Sequence, residues 1–168
     1  MVIGGSGSGK SEYAESRCVQ FGSEKKLYIA TMEPFGAEGA ARIERHRKLR
    51  QGKGFETLEC YTHLEEAVIP PAGTILLECM SNLAANEMFS PKGRPNQMET
   101  LILQGVSRLR ERAEHVVIVT NEVFSDGIDY DPMTMEYIRH LGVINQRIAQ
   151  IADEVYEVVH GIPICIKE

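Results

Sequence analysis

The residues "GGSGSGKS" at positions 4–11 fit the spacing G-x-x-x-x-G-K-S, with Gly4, Gly9, Lys10 and Ser11 at its fixed positions. A loop of this kind aims backbone N–H groups and a helix N-terminus at phosphate oxygens, and its glycines let the backbone come close. Lys10 is then placed to reach the β- and γ-phosphates, and the Ser11 hydroxyl to ligate Mg²⁺. The chemistry is that of a nucleoside triphosphate, with kinase, ATPase and switch GTPase all open. The guanine-reading Asn-Lys-x-Asp of regulatory GTPases is absent, which weakens that last reading.

Carboxylates and one histidine supply further candidates. Glu59 ends "FETLE", Glu78 ends "TILLE" and Glu122 follows "VVIVTN", so each is expected where a strand emerges. Carboxylates there can hold a magnesium ion directly or through water. The stretch "RIERHRKLR" (42–50) surrounds His46 with Arg42, Arg45, Arg47, Lys48 and Arg50. On a helix, Arg42, His46 and Arg50 share one face. Guanidinium groups beside an imidazole favour its neutral, nucleophilic form and stabilise charge developing on a phosphate. Locally, a solvated basic helix face explains the same residues.

The elements that must position these groups follow from hydrophobic patterning. Strands are expected at "MVI" before the glycine loop, "LYIAT" (27–31), "FETLEC" (55–60), "TILLEC" (74–79), "VVIVT" (116–120), "EVYEVV" (154–159) and "PICIK" (163–167). Several are continuously apolar, as strands covered on both faces tend to be. Helical patterns follow the glycine loop at "KSEYAESRCVQF" and run from Glu38 to Arg50 and from Asn96 to Ala113. Another links Ile138, Leu141, Ile144, Ile148 and Ile151. Alternation of strands and helices predicts an α/β fold, a mostly parallel sheet with helices on both sides and the site at the strand ends. The stretches "SPKGRPNQ" (90–97) and "FSDGIDYDP" (124–132) read as loops, either ordinary connections or lids.

At 168 residues a single domain spanning 1–168 is expected, and 43% hydrophobic with 25% charged residues is ordinary globular composition. A net charge of -6 argues against a nucleic-acid partner, which needs a broad basic surface. Cys18, Cys60, Cys79 and Cys165 are widely spaced, without the C-x-x-C pair of a metal site. The N-terminus lacks a signal-peptide pattern, and no apolar run has the length of a membrane helix, so a cytoplasmic protein is expected.

Taken in order, "GGSGSGKS", "LYIAT", "AARIERHRKLR", "LEC", "ILLEC", "VTNEV", "NQRIAQIADEV" and "GIPICIK" give the chain a resemblance. It resembles the bifunctional adenosylcobinamide kinase / adenosylcobinamide-phosphate guanylyltransferase family of cobalamin biosynthesis, nearly end to end. The resemblance implies a P-loop NTPase-type three-layer fold related to recombinase-type ATPases, and a homotrimer. It implies ATP and GTP as substrates, Mg²⁺ as cofactor, and adenosylcobinamide and its phosphate as acceptors. GMP would pass through a covalent adduct on His46, with Lys10 as the other catalytic residue. Nucleotide contacts carry over onto Gly4, Gly5, Ser6, Gly7, Ser8, Gly9, Lys10 and Ser11, and onto Thr31, Met32 and Glu33. They also fall on Arg47, Lys48, Leu49 and Arg50, and on Glu59 and Glu78, with Ser11 and Glu78 toward the metal. The chain departs from the family after "VTNEV", where "FSDGIDYDP" replaces a glycine-containing "GIVP"-like segment. Guanylyltransferase activity alone, or a regulatory nucleotide-binding module, are the competing readings.

Overall fold

The computed structural model describes residues 1–34 and 36–168; the side chains of Glu38, Arg42 and Leu49 also lie outside the described residues. One sheet organises the chain, built from β1 (Val2–Gly4), β2 (Lys26–Ala30), β3 (Phe55–Glu59), β4 (Ala72–Leu77), β5 (Ala113–Asn121), β6 (Val155–Val159) and β7 (Ile162–Lys167). Its order is β3-β2-β4-β5-β1-β6-β7. All neighbours are parallel except β6 and β7, which form an antiparallel hairpin at one edge. The turn of that hairpin, His160–Gly161, takes positive φ at both residues, as a two-residue hairpin turn requires.

The period-two alternation of the strands sorts side chains into two cores. Leu27, Ile29, Ile75, Leu77 and Ile118 face a core completed by three helices, α3 (Met80–Phe89), α4 (Met98–Arg112) and α5 (Pro132–Ile151). Tyr28, Leu76, Val117 and Val119 face the other side, against Ala14 and Cys18 of α1 (Lys10–Gln20). Helices therefore cover both faces, giving the three layers expected. α2 (Gly36–Arg50) connects β2 to β3.

Helix α5 starts six residues before its apolar periodicity becomes visible. Asp131 caps it by accepting from the Met133 and Thr134 amides, and Pro132 occupies the first turn. A short 3₁₀ turn at Pro95–Gln97 leads into α4. The 90–97 segment is tied to the body: buried Glu87 accepts from the His63 and Arg94 amides at 2.6 and 3.0 Å, so an ordinary connection describes it better than a lid.

Because β1 to β5 run parallel, the glycine loop, Thr31, Glu59, Glu78 and Glu122 all lie at one edge of the sheet. α1 leaves β1 toward one face while α5 leaves the neighbouring β5 toward the other. Helices that diverge in this way open a crevice at the carboxyl ends of the two strands.

Candidate active site

The glycine loop folds tightly over the end of β1. A Cβ on Gly4 would stand 2.5 Å from Ser8 Oγ and 2.7 Å from the Val158 carbonyl, so only glycine permits that closure. Gly9 caps α1 in the left-handed region, at φ 91°. The Ser8 amide donates to Gly5 O at 3.2 Å, and Lys10 Nζ reaches back to the same carbonyl at 3.0 Å. The ammonium is thereby held over the loop, with Lys10 buried. From the other side, the Gly161 amide of the hairpin turn donates to Ser8 O at 2.8 Å. Ser8 Oγ is buried and has no hydrogen-bond partner among the described residues. Ser11 sits in the first turn of α1, where unpaired helix amides carry partial positive charge.

Glu78, just past β4, is buried and accepts three hydrogen bonds. Oε1 takes the Tyr28 hydroxyl at 2.8 Å; Oε2 takes the Thr31 and Met32 amides at 2.8 and 3.1 Å. Three donors leave this carboxylate about one acceptor site for anything else. Thr31 is fixed further, its hydroxyl donating to Cys79 O and its carbonyl accepting from Asn86 Nδ2, both at 2.9 Å. Burial, and then the Glu78 charge, raises the Tyr28 hydroxyl pKa so far that it stays a donor. Glu33 and Glu59 border an open cavity of about 380 Å³ beside the end of β3.

His46 and Arg50 turn the same face of α2 inward. His46 is half-buried and its Nδ1 has no partner among the described residues. Burial holds the imidazole below its usual pKa; Glu78 opposes this, Arg45 and Arg50 reinforce it, and Glu15 opposes it. Buried Arg50 stacks its guanidinium 3.5 Å from the Tyr28 ring centroid, and its Nη1 too is without a partner among the described residues. Glu15 of α1, 1% exposed, is met by Lys53 at 2.6 Å, which ties the chain just beyond α2 to the helix that follows the glycine loop. Arg47 reaches Glu59 only at 3.8 Å with both side chains exposed, a pair worth little in water. Lys48 is exposed, while Leu49 and Arg42 fall outside the described side chains.

The three strand-end acids thus differ, although each stands at the expected edge. Glu59 is exposed; Glu78 is enclosed and hydrogen-bonded; Glu122 folds its own loop, accepting from Phe124 N at 2.8 Å and Ser125 Oγ at 2.7 Å. Four strand spacings separate β3 from β1, so Glu59 stands roughly 19 Å from the glycine loop, while Glu78 is about two spacings away. Tyr28, Glu15, Lys53 and Asn86 were not singled out from the sequence. Tyr28 was the most accessible of them, as the one polar-tipped ring inside the apolar run "LYIAT".

The family model described as cobinamide kinase / cobinamide phosphate guanyltransferase matches residues 1–166. The bifunctional adenosylcobalamin biosynthesis protein CobU of Salmonella typhimurium strain LT2 is 35% identical over 99% of this chain and 98% of its own length. The protein of the same name from Escherichia coli strain K12 matches at 35% over the same shares. A crystal structure of the RadB recombinase aligns with 93% of this chain and 71% of that one, at 13% identity and a TM-score of 0.46.

Proposed function

The chain belongs to the cobinamide kinase / cobinamide phosphate guanyltransferase family, and from that premise we propose how its residues divide two reactions on one corrinoid. In the first, the aminopropanol hydroxyl of adenosylcobinamide attacks the γ-phosphorus of a nucleoside triphosphate. The bond to the β-phosphate oxygen breaks, the nucleoside diphosphate leaves and the hydroxyl proton is lost to solvent. In the second, a His46 nitrogen attacks the α-phosphorus of GTP and pyrophosphate leaves. The phosphate of adenosylcobinamide phosphate then displaces the imidazole, giving adenosylcobinamide-GDP and restoring neutral histidine.

The observation that carries this reading is the pairing of two unsatisfied buried groups on α2. His46 is held toward its neutral form, and among the described residues neither its Nδ1 nor the Nη1 of nearby Arg50 has a hydrogen-bond partner. Buried polar atoms are nearly always bonded, so atoms left bare on adjacent turns of one helix fit a ligand that satisfies them. A neutral imidazole has the lone pair that attack on phosphorus requires, and a guanidinium offsets the charge that develops. Lys10, the α1 amides and Ser8 Oγ receive the triphosphate. Glu78 orders the Thr31–Met32 backbone, and Arg47, Lys48 and Glu59 form the outer rim.

Mg²⁺ fits these residues. The Ser11 hydroxyl, with phosphate oxygens and water, can complete its shell, and among the described residues no group of three His, Cys, Asp or Glu is placed to hold a metal ion by itself. Glu78, with about one acceptor site left, would hold the ion through its waters. When bound, the ion neutralises triphosphate charge. Assembly as a homotrimer belongs to the same proposal, supported by the apolar row Ile162, Ile164 and Ile166 exposed along β7. Among the described residues no helix is long and apolar enough to cross a membrane.

The decisive experiment uses GTP labelled at the α-phosphate. The parent chain should acquire an acid-labile, base-stable label, and His46→Ala should acquire none. Equal labelling of the two would remove His46 as nucleophile. Labelling without phosphorylation of unphosphorylated adenosylcobinamide would reduce the function to guanylyl transfer.

A further inference from the structure

We propose that the exposed apolar side chains Phe124, Ile128, Tyr130 and Met133, on the β5–α5 connection and the start of α5, are where the corrin ring of the acceptor docks. The inference rests on the family reading above and adds to it the acceptor's place.

These four side chains are between 38% and 57% exposed, an unusual grouping of large apolar residues within ten positions. The polar groups around them are turned to holding the connection in shape. Glu122 takes the Phe124 amide and the Ser125 hydroxyl. Asp126 takes the Ile128 amide at 3.1 Å and the Tyr130 hydroxyl at 2.6 Å, and Asp131 caps α5. An ordered connection that uses its carboxylates internally leaves its apolar side chains as the outward surface.

Position selects the occupant. The Glu122 amide donates to Gly4 O at 3.0 Å, so the connection begins at the residue flanking the glycine loop. It borders the crevice between β1 and β5, from which α1 and α5 diverge to opposite faces. An acceptor hydroxyl attacking a γ-phosphate held by that loop hangs from the corrin by one short aminopropanol arm. The ring must therefore rest close by, and the connection that carries these side chains starts at the same crevice. The apolar row on β7 lies along the outer edge of the sheet and suits a protein neighbour better.

Charge agrees with this choice. From Ala113 to Ile138 the chain has no Lys or Arg, while Glu122, Asp126, Asp129 and Asp131 all lie within the connection. A second triphosphate would be repelled from such a surface. Adenosylcobinamide is a cation, because cobalt(III) exceeds by one charge the corrin and the alkyl ligand together. Its methyl-studded ring is apolar, so both its charge and its surface suit this connection.

Equilibrium dialysis of the full chain against adenosylcobinamide, read from corrin absorbance, tests the proposal alongside calorimetric titration with GTP. Ile128→Asp is expected to weaken corrinoid binding about tenfold and leave GTP affinity and histidine labelling unchanged. Ile128→Ala should show a smaller loss in the same direction, and Ile166→Asp on β7 none. Corrinoid affinity unchanged in Ile128→Asp, or lost in Ile166→Asp instead, would overturn it. A fall in particle mass by light scattering that accompanies the loss in Ile128→Asp would also overturn it, assigning the face to a contact between copies. If the parent chain binds no adenosylcobinamide at all, the proposed acceptor fails first, and this inference with it.

Discussion

Replacing Tyr28 by Phe removes one oxygen from the buried centre of the site and keeps everything else. The ring that stacks under Arg50 and meets Phe55 edge-on at 6.1 Å is retained. What disappears is the 2.8 Å donor to Glu78 Oε1, so a buried carboxylate oxygen loses its partner while Oε2 keeps the Thr31 and Met32 amides. A hydrogen bond to a charged group contributes about 1.5–3 kcal/mol. For a chain of this size each kcal/mol moves the melting temperature about 2–4 °C, so a loss near 2 kcal/mol predicts a Tm lower by about 4–8 °C. The chemistry should change as well, because Glu78 fixes the Thr31–Met32 backbone. The KM for GTP is expected to rise more than kcat falls, since positioning rather than attack is disturbed. Tyr28→Leu, which also removes the Arg50 stack, should lose about 0.5–2 kcal/mol more. Differential scanning calorimetry and steady-state guanylyl transfer read both effects. A Tm for Tyr28→Phe within a degree of the parent, with KM unchanged, would refute the claim that the hydroxyl holds Glu78 in place.

Two further outcomes follow from the geometry. Gly9→Ala places an L-residue at φ 91° with its Cβ 3.2 Å from Gly161 Cα; it should cost at least about 1–2 kcal/mol of stability and weaken triphosphate binding, both measurable by denaturation and GTP titration. Burial holds the His46 pKa below 6.5, so the unfolded chain takes up that proton first and acidification from 6.5 downward favours unfolding. His46→Gln should therefore lose less stability than the parent on going from neutral pH to below 6, and superimposable pH–stability curves would show that His46 carries no such linkage.

Much of this architecture is legible in the sequence because the patterning is strong. The apolar strands and the glycine loop appear within two or three residues of their expected bounds, since neither depends on distant partners. α3 was not expected. "MSNLAANEMF" begins directly after β4 with Cys79 as an N-cap whose side chain makes no capping bond, so it carries no start signal. Its Ser and Asn residues are also weak helix formers, and packing between β5 and α5 holds it instead. The glycine loop could be chosen from spacing, whereas His46 stood out from a solvated helix face only through the family resemblance. The state of Glu78 could not, because its three bonds come from Tyr28, 50 positions away, and from two backbone amides 46 and 47 positions away. Sequence shows that a carboxylate is present, whereas only the fold shows how many of its lone pairs are already taken.

The amide of Gly161 that rests on the Ser8 carbonyl has a consequence for anyone engineering this chain. The final hairpin looks dispensable, an exposed edge strand far along the sequence from the glycine loop. Truncation after Val159 would nevertheless remove a support from under that loop and leave β6 as a bare edge open to pairing with other chains. Affinity tags and fusions are best attached beyond Glu168, with His160–Gly161 untouched, and weak nucleotide binding in a shortened chain would then signal a lost buttress rather than a faulty phosphate loop.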